Sequence, residues 1–287
     1  MRKLFFALGA IAVGVGTSAI SLASTVSTSS ISKLASSTMA SYAGRATTFT
    51  KMLSSPPGSA ASLDMRAALR HGASKSSLHY VSTSVGSGLT TTITGDVKQT
   101  FGTQTIVVSY QGAKVSMVVE LIGHEAYFRG GALAIEALIN LNPDQAAAAA
   151  GQWVSVVPAD TAYYESTAAA LTVGSVISEI ALSPPITGAR NVVKGGRAVL
   201  EISGAWTGDG ITAKEHATAS LEVTKGSKSL PVEFAGVVPA SSKTSRFVDN
   251  MVVSRWGEAV HVVAPPASVP LSVILKSTTT TTQPVVV

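Results

Sequence analysis

Four stretches in the first half of the chain carry β-branched and apolar residues at the two-residue period of a half-buried strand: His79–Val85, Thr90–Gln99, Thr105–Gln111 and Lys114–Ile122, with glycines between them. In the fourth, Val115, Met117, Val119 and Leu121 face one way and Ser116 and Glu120 the other, although Val118 and Ile122 blur the pattern. The segment Tyr110–Lys114 (YQGAK) reads as a hairpin turn, and Glu125–Arg129 as a fifth strand. Ahead of the strands, Met65, Ala68 and Leu69 recur at helical spacing. Asp64 stands near the expected helix start and Gly72 near its C-cap.

The period then changes. Ala132–Leu141 carries Leu133, Ile135, Leu138 and Ile139 as a helix, and Pro143 opens a second helix to Gly151 with Asn142 as N-cap. Gln152–Val157 is a short extended piece around Trp153. Asp160 caps a helix over Thr161–Ala170, and more helix runs from Val173 to Leu182 until Pro184-Pro185 stops it. Alternation returns at Ala198–Trp206, with Leu200, Ile202 and Trp206 against Glu201 and Ser203. It continues at Ala217–Thr224, with Ala219, Leu221 and Val223 against Ser220, Glu222 and Thr224. Leu230–Val238, Phe247–Val253 and Ala259–Val263 complete the strands. Strands, a helical insertion, then strands predict an α+β domain: a large curved antiparallel sheet, one face on a core, with helices gathered on one side.

The ends read differently. Arg2 and Lys3, the apolar run Leu4–Gly16 and the small residues around Ser21-Leu22-Ala23 form the three parts of a cleavable export signal over residues 1–23. A retained anchor is the rival reading, but the apolar run is shorter than the roughly 20 residues needed to span a bilayer. Residues 24–62 are rich in Ser, Thr and Ala and end at Pro56-Pro57-Gly58. They read as a linker, with room for one short helix around Ile31–Met52. The folded unit is expected over 63–275. Residues 276–287, mostly threonine and valine, are expected to be a disordered tail.

Composition narrows the function. Losing Arg2 and Lys3 with the signal lowers the formal charge from +5 to +3, too mild and too scattered to argue for nucleic acid. The sequence has no cysteine, which excludes disulfides, thiol catalysis and a lipid-modified cysteine after the signal. His71, His79, His124, His216 and His261 are far apart without a metal-binding pattern, so no metal or other cofactor is expected. No GxSxG elbow is present. Ser30–Lys33 has SxxK spacing but lies in a serine-rich stretch, and Lys243-Thr244-Ser245 only approaches KTG. Thr207–Gly210 reads as a turn rather than a phosphate loop. A non-enzymatic protein follows.

Several strings, in order, resemble the actinobacterial envelope lipoproteins of the LppX/LprG type, which share the fold of the LolA and LolB carriers. They are DMRAALRHGASKSSLHYV, EAYFRG, GQWVSVVPAD, ASLEVTKGSKSLPVEFAG and SRWGEAVHVVAPP, spanning Leu63 to Pro266. The resemblance implies a half-barrel sheet with helices on its concave side and a hydrophobic cavity between them, in a protein that carries an acylated lipid or lipoglycan within the cell envelope. It further implies transient contact with membrane or cell wall. Most members carry a lipobox cysteine, whereas this chain has SLASTVS there, so a released form is expected. On residue type alone, the large apolar side chains simply pack a core. Under the resemblance, Met117, Val119, Leu121, Tyr127, Phe128, Leu133, Leu138, Trp153, Val173, Ile177 and Ile180 line the cavity. A structural or interaction protein of the envelope, with a filled core and no ligand, is the alternative. The sequence does not specify the oligomeric state.

Overall fold

The computed structural model describes residues 58–168, 171–206, 216–240 and 245–276. The expected signal, the linker as far as residue 57 and the tail from residue 277 lie outside the described residues. The first described element is helix α1 (Ala60–Ala73). Ser59 caps it, its side chain accepting from the Ser62 amide at 3.2 Å. The helix thus begins four residues before Asp64, which leaves the first turn without an acidic residue, and it ends on Ser74 rather than on Gly72. Met65, Ala68 and Leu69 do form its buried stripe.

The strands are β1 (Ser77–Gly86), β2 (Leu89–Lys98), β3 (Gly102–Tyr110), β4 (Ala113–Ile122), β5 (Glu125–Gly130), β6 (Val154–Val156), β7 (Ser183–Lys194), β8 (Arg197–Ala205), β9 (Thr218–Thr224), β10 (Pro231–Val238), β11 (Phe247–Ser254) and β12 (Val269–Pro270). They form one open sheet of twelve strands in the order β12-β6-β5-β4-β3-β2-β1-β11-β10-β9-β8-β7. Every neighbouring pair is antiparallel except β12–β6. The order is that of two meanders: β1 to β6 step outward on one side and β11 back to β7 on the other. They join where β1 pairs with β11 over eight residues, His79 opposite Ser254 through Gly86 opposite Phe247. The two-residue loops Ser87-Gly88, Gln111-Gly112 and Gly195-Gly196 have positive φ at both positions, the backbone that a tight hairpin between twisted strands needs.

Between β5 and β6 lie α2 (Ala132–Ile139) and α3 (Pro143–Ala149), between β6 and β7 a 3₁₀ turn at Pro158–Asp160, α4 (Thr161–Ala168) and α5 (Val173–Glu179), and α6 (Leu271–Lys276) follows β12. Local chemistry fixes their starts. Asn142 and Gln145 form a reciprocal capping box on α3, and Thr172 and Ser175 do so on α5. Asp160 accepts from the Val157 amide at 2.9 Å and holds the turn before α4. Buried residues of helices and strands join in one hydrophobic cluster, from Met65 and Leu69 through Val119 and Phe128 to Ile177, Leu221 and Ile274.

Three readings of the pattern change. Ala259–Val263 is not a strand: after β11, positive φ at Arg255 and Gly257 turns the chain away, and Val263 is 81% exposed. Strand β7 carries no alternation, because none of its residues is fully buried, so nothing in its sequence marks an inward face. Two further short elements, β12 and α6, also lie where the pattern announced none.

Candidate functional site

The eleven expected lining residues fall into three groups. Met117, Val119 and Leu121 on β4, Phe128 on β5, Leu138 on α2, and Val173, Ile177 and Ile180 at α5 are brought together in the hydrophobic cluster, each at most 5% exposed. Tyr127 is 7% exposed, but it neighbours Phe128 on a strand and so points to the opposite face, which means β5 is covered on both sides. Trp153 is half-buried and Leu133 is 54% exposed.

A groove of about 700 Å³ lies elsewhere, at the β7–β10 end of the sheet. Its floor comes from cross-strand rows. Ser203, Ser220 and Ala235 are direct neighbours on β8, β9 and β10, and Ala205, Thr218 and Val237 form the next row. Alternation places both rows on the face opposite Ile202, Leu221 and Phe234, which are buried at 0%, 0% and 1% exposure. Small side chains there leave volume that larger ones would fill. The wall is Pro184, Pro185 and Thr187 of β7. The pairing of β7 with β8 slips at Ser183/Ile186 and again at Ile186/Gly188, irregularities that re-aim a strand where a straight one would lie flat.

The groove reaches round the ends of β8 and β9 to Trp206, His216 and Ala217. Trp206 is held edge-on to Phe234 (centroids 5.5 Å apart) and stacked on Phe247 (6.1 Å). Its ring also lies over Gly236, where a Cβ would come within 2.6 Å of it, so only glycine fits beneath. Hydroxyls of Thr187, Ser203, Thr218 and Ser220 and the His216 imidazole supply polar groups in a mainly apolar lining.

One step along the same face runs a row of carboxylates. Glu222 is directly opposite Glu201 on one side and Glu233 on the other. Like charges so placed repel, and two cations from β7 offset them. Arg190 binds Glu201 through Nε at 3.0 Å and Nη2 at 3.1 Å. Lys194 donates to Glu222 at 3.0 Å and to Glu233 at 2.7 Å. The hydrogen bond to Glu233 holds the Lys194 ammonium above the ordinary lysine range, with burial opposing and Glu222 adding to it. Asn250 Nδ2 donates to Glu233 at 3.3 Å.

The other titratable groups are scattered. His79 pairs with Asp96 at 2.9 Å, and His124 and His261 are exposed. Tyr127 is pushed up to about 12 by burial, aided by a hydrogen bond to Glu125 and by the charges of Glu125 and Glu120, the last directly opposite it on β4. Burial also raises Glu120. Among the described residues no three His, Asp or Glu side chains gather as metal ligands, and no helix is long and apolar enough to cross a membrane. Ser30–Lys33 and Thr207–Gly210 lie outside the described residues, as do Lys243 and Thr244.

The sequence does not announce the groove, because Ser203, Ser220, Thr218 and Ala235 look like ordinary solvent-facing strand positions. The signal that could have found it is their size. The strings Ser203-Gly204-Ala205, Ala217-Thr218-Ala219-Ser220 and Ala235-Gly236 place small residues on three adjacent strands.

No protein-family model and no curated protein sequence matches the chain. Among solved structures it is similar to LprF from Mycobacterium bovis (TM-score 0.44, 16% identity, covering 74% of this chain and 99% of that one). It is similar also to the lipoprotein LppX from Mycobacterium tuberculosis (TM-score 0.40, 15% identity, 70% and 97%). A third is an uncharacterized conserved protein from Thermus thermophilus (TM-score 0.37, 8% identity, 74% and 98%).

Proposed function

We propose that this chain is an exported, non-enzymatic binding or carrier protein that holds a lipid or other amphiphile in the cell envelope. The observation that carries the reading is the groove: about 700 Å³, walled by prolines and small apolar side chains, with a few hydroxyls and one imidazole. That volume lies within the range of small-molecule sites, about 300–1,000 Å³, and the mix of apolar wall and few polar groups is theirs too. Residues 1–23 direct export and are removed near Ala23. Without a cysteine to acylate, the mature chain is released rather than tethered. Residues 24–62 act as a linker to a carrier domain over 63–275, whose sheet curves as a half-barrel with helices on its concave side. The interior set from Met117 to Ile180 is the alternative seat of the same ligand, reached only by parting helices from β4 and β5.

Extraction of the purified mature protein followed by mass spectrometry of the released lipids tests the reading, together with uptake of a neutral fluorescent apolar probe. Co-purified amphiphile and saturable uptake are expected. A protein that comes out empty and takes up no probe contradicts it. One observation favours the second reading, an envelope structural or interaction protein with a filled core: eight of the eleven interior residues are at most 5% exposed within one packed cluster.

A further inference from the structure

Beside the groove, two acceptor atoms are buried without a hydrogen-bond donor among the described residues: Glu222 Oε2 and Asn250 Oδ1. Both belong to its immediate surroundings. Glu222 follows the floor residue Ser220 by two positions and so shares its face, and Asn250 stands directly opposite the floor residue Ala235 on β11. Glu222 is only 8% exposed. Glu233, between them, has both oxygens engaged, one by Lys194 and one by Asn250. Across the whole row three carboxylates face two cations, Arg190 and Lys194. Among the described residues the corner therefore offers these two atoms no donor and carries one positive charge too few, and a buried carboxylate oxygen left this way costs stability until something donates to it.

We propose that the ligand of this groove carries a primary ammonium head, whose N–H groups reach Glu222 Oε2 and Asn250 Oδ1 while its hydrocarbon lies over Ala235, Val237 and the Pro184-Pro185 wall. The assignment rests on the binding-protein reading above and narrows it to one ligand class. An ammonium supplies three donors and the missing charge. A carboxylate or phosphate head meets Glu222 and Glu233 as like charges. An alcohol of the same chain length has one donor and no charge, and it reports the hydrocarbon contribution alone.

Calorimetric titration of the mature chain with dodecylammonium, dodecanoate and dodecanol, repeated on Glu222→Gln, tests this. Gln keeps the shape of Glu and removes the charge. Glu136→Gln on α2, in the other half of the sheet's connectivity, controls for net charge. The expected result is dodecylammonium binding at least about tenfold more tightly than dodecanoate, the scale of one charge-assisted hydrogen bond. Glu222→Gln should shrink that ratio below about threefold and leave dodecanol unchanged, and Glu136→Gln should leave the ratio intact. Equal binding of the two charged chains, or a preference that survives Glu222→Gln, overturns the ammonium assignment while dodecanol binding keeps the binding-protein reading. Failure of all three chains to bind overturns both.

Discussion

The two meanders of this sheet use the same strand alternation to opposite ends. On the β1–β6 side the inward positions carry Leu78, Ile106, Met117, Val119 and Phe128, and all are at most 1% exposed. Helices α2 and α4 pack on β4 and β5, and these side chains are closed off from solvent. At the far edge of the other meander, β7 has no fully buried residue, and outward rows of Ser, Ala and Thr on β8–β10 leave a groove open. Alternation tells which way a side chain points. Whether a void results depends on side-chain size and on what stands beside it, and those differ between the halves.

The largest test of this contrast is a paired truncation. Phe128→Ala on the β1–β6 side, where the side chain is fully buried, should cost about 3–5 kcal/mol of stability. Val193→Ala on β7, which is 76% exposed, should stay within about 0.5 kcal/mol. Denaturant midpoints with unchanged slopes would report both, and similar losses at the two sites would break the comparison. Next comes Tyr80, whose hydroxyl donates to Gln104 at 2.6 Å, both side chains being at most 1% exposed. Tyr80→Phe should cost about 1–3 kcal/mol because the Gln104 carbonyl oxygen loses this buried donor. Adding Gln104→Met should recover part of the loss, and a double variant no more stable than the single one would count against the explanation.

At the groove, Gly236→Ala presses a methyl group into Trp206. An overpacking cost of about 1–3 kcal/mol is expected, and the near-ultraviolet circular dichroism of Trp206 should change with it. An unchanged spectrum would mean that the ring moves freely and does not shape the site.

The smallest effect is a pH dependence on the β1–β6 side. Burial raises the Glu120 carboxyl above its ordinary range, and its Oε2 is buried without a partner among the described residues. With the folded-state value raised, the stability that Glu120 confers is complete below its unfolded-state value and is lost as pH rises through the raised one. Glu120→Gln should therefore lift the thermal midpoint slightly at neutral pH and leave it unchanged in acid. A loss at neutral pH would reverse the sign.

The amount read from sequence differs between the halves for the same reason. Strands β1–β5 were legible because their inward residues are large and apolar and their outward ones polar, and Asn142 announced α3 through its cap. Strand β7 was not, since two prolines, a glycine and exposure on both faces erase the period that marks a strand. At α1 the sequence misleads, because Asp64 looks like a first-turn acid whereas Ser59 supplies the capping oxygen. The groove is not legible in the sequence because a small outward residue reads as surface until a neighbouring strand walls it in, and that wall is β7.

The most direct test asks whether the hydrocarbon of the bound amphiphile sits at the β7–β10 groove. The chain has three tryptophans, one in the groove (Trp206), one in the interior set (Trp153) and one after β11 (Trp256). Titration with 12-bromododecanol, whose bromine quenches only nearby indoles, should be followed in Trp153→Phe/Trp256→Phe and in Trp206→Phe/Trp256→Phe. Saturable quenching of the lone Trp206 and none of the lone Trp153 is expected. Quenching confined to Trp153 would place the ligand between sheet and helices and overturn the groove as its seat.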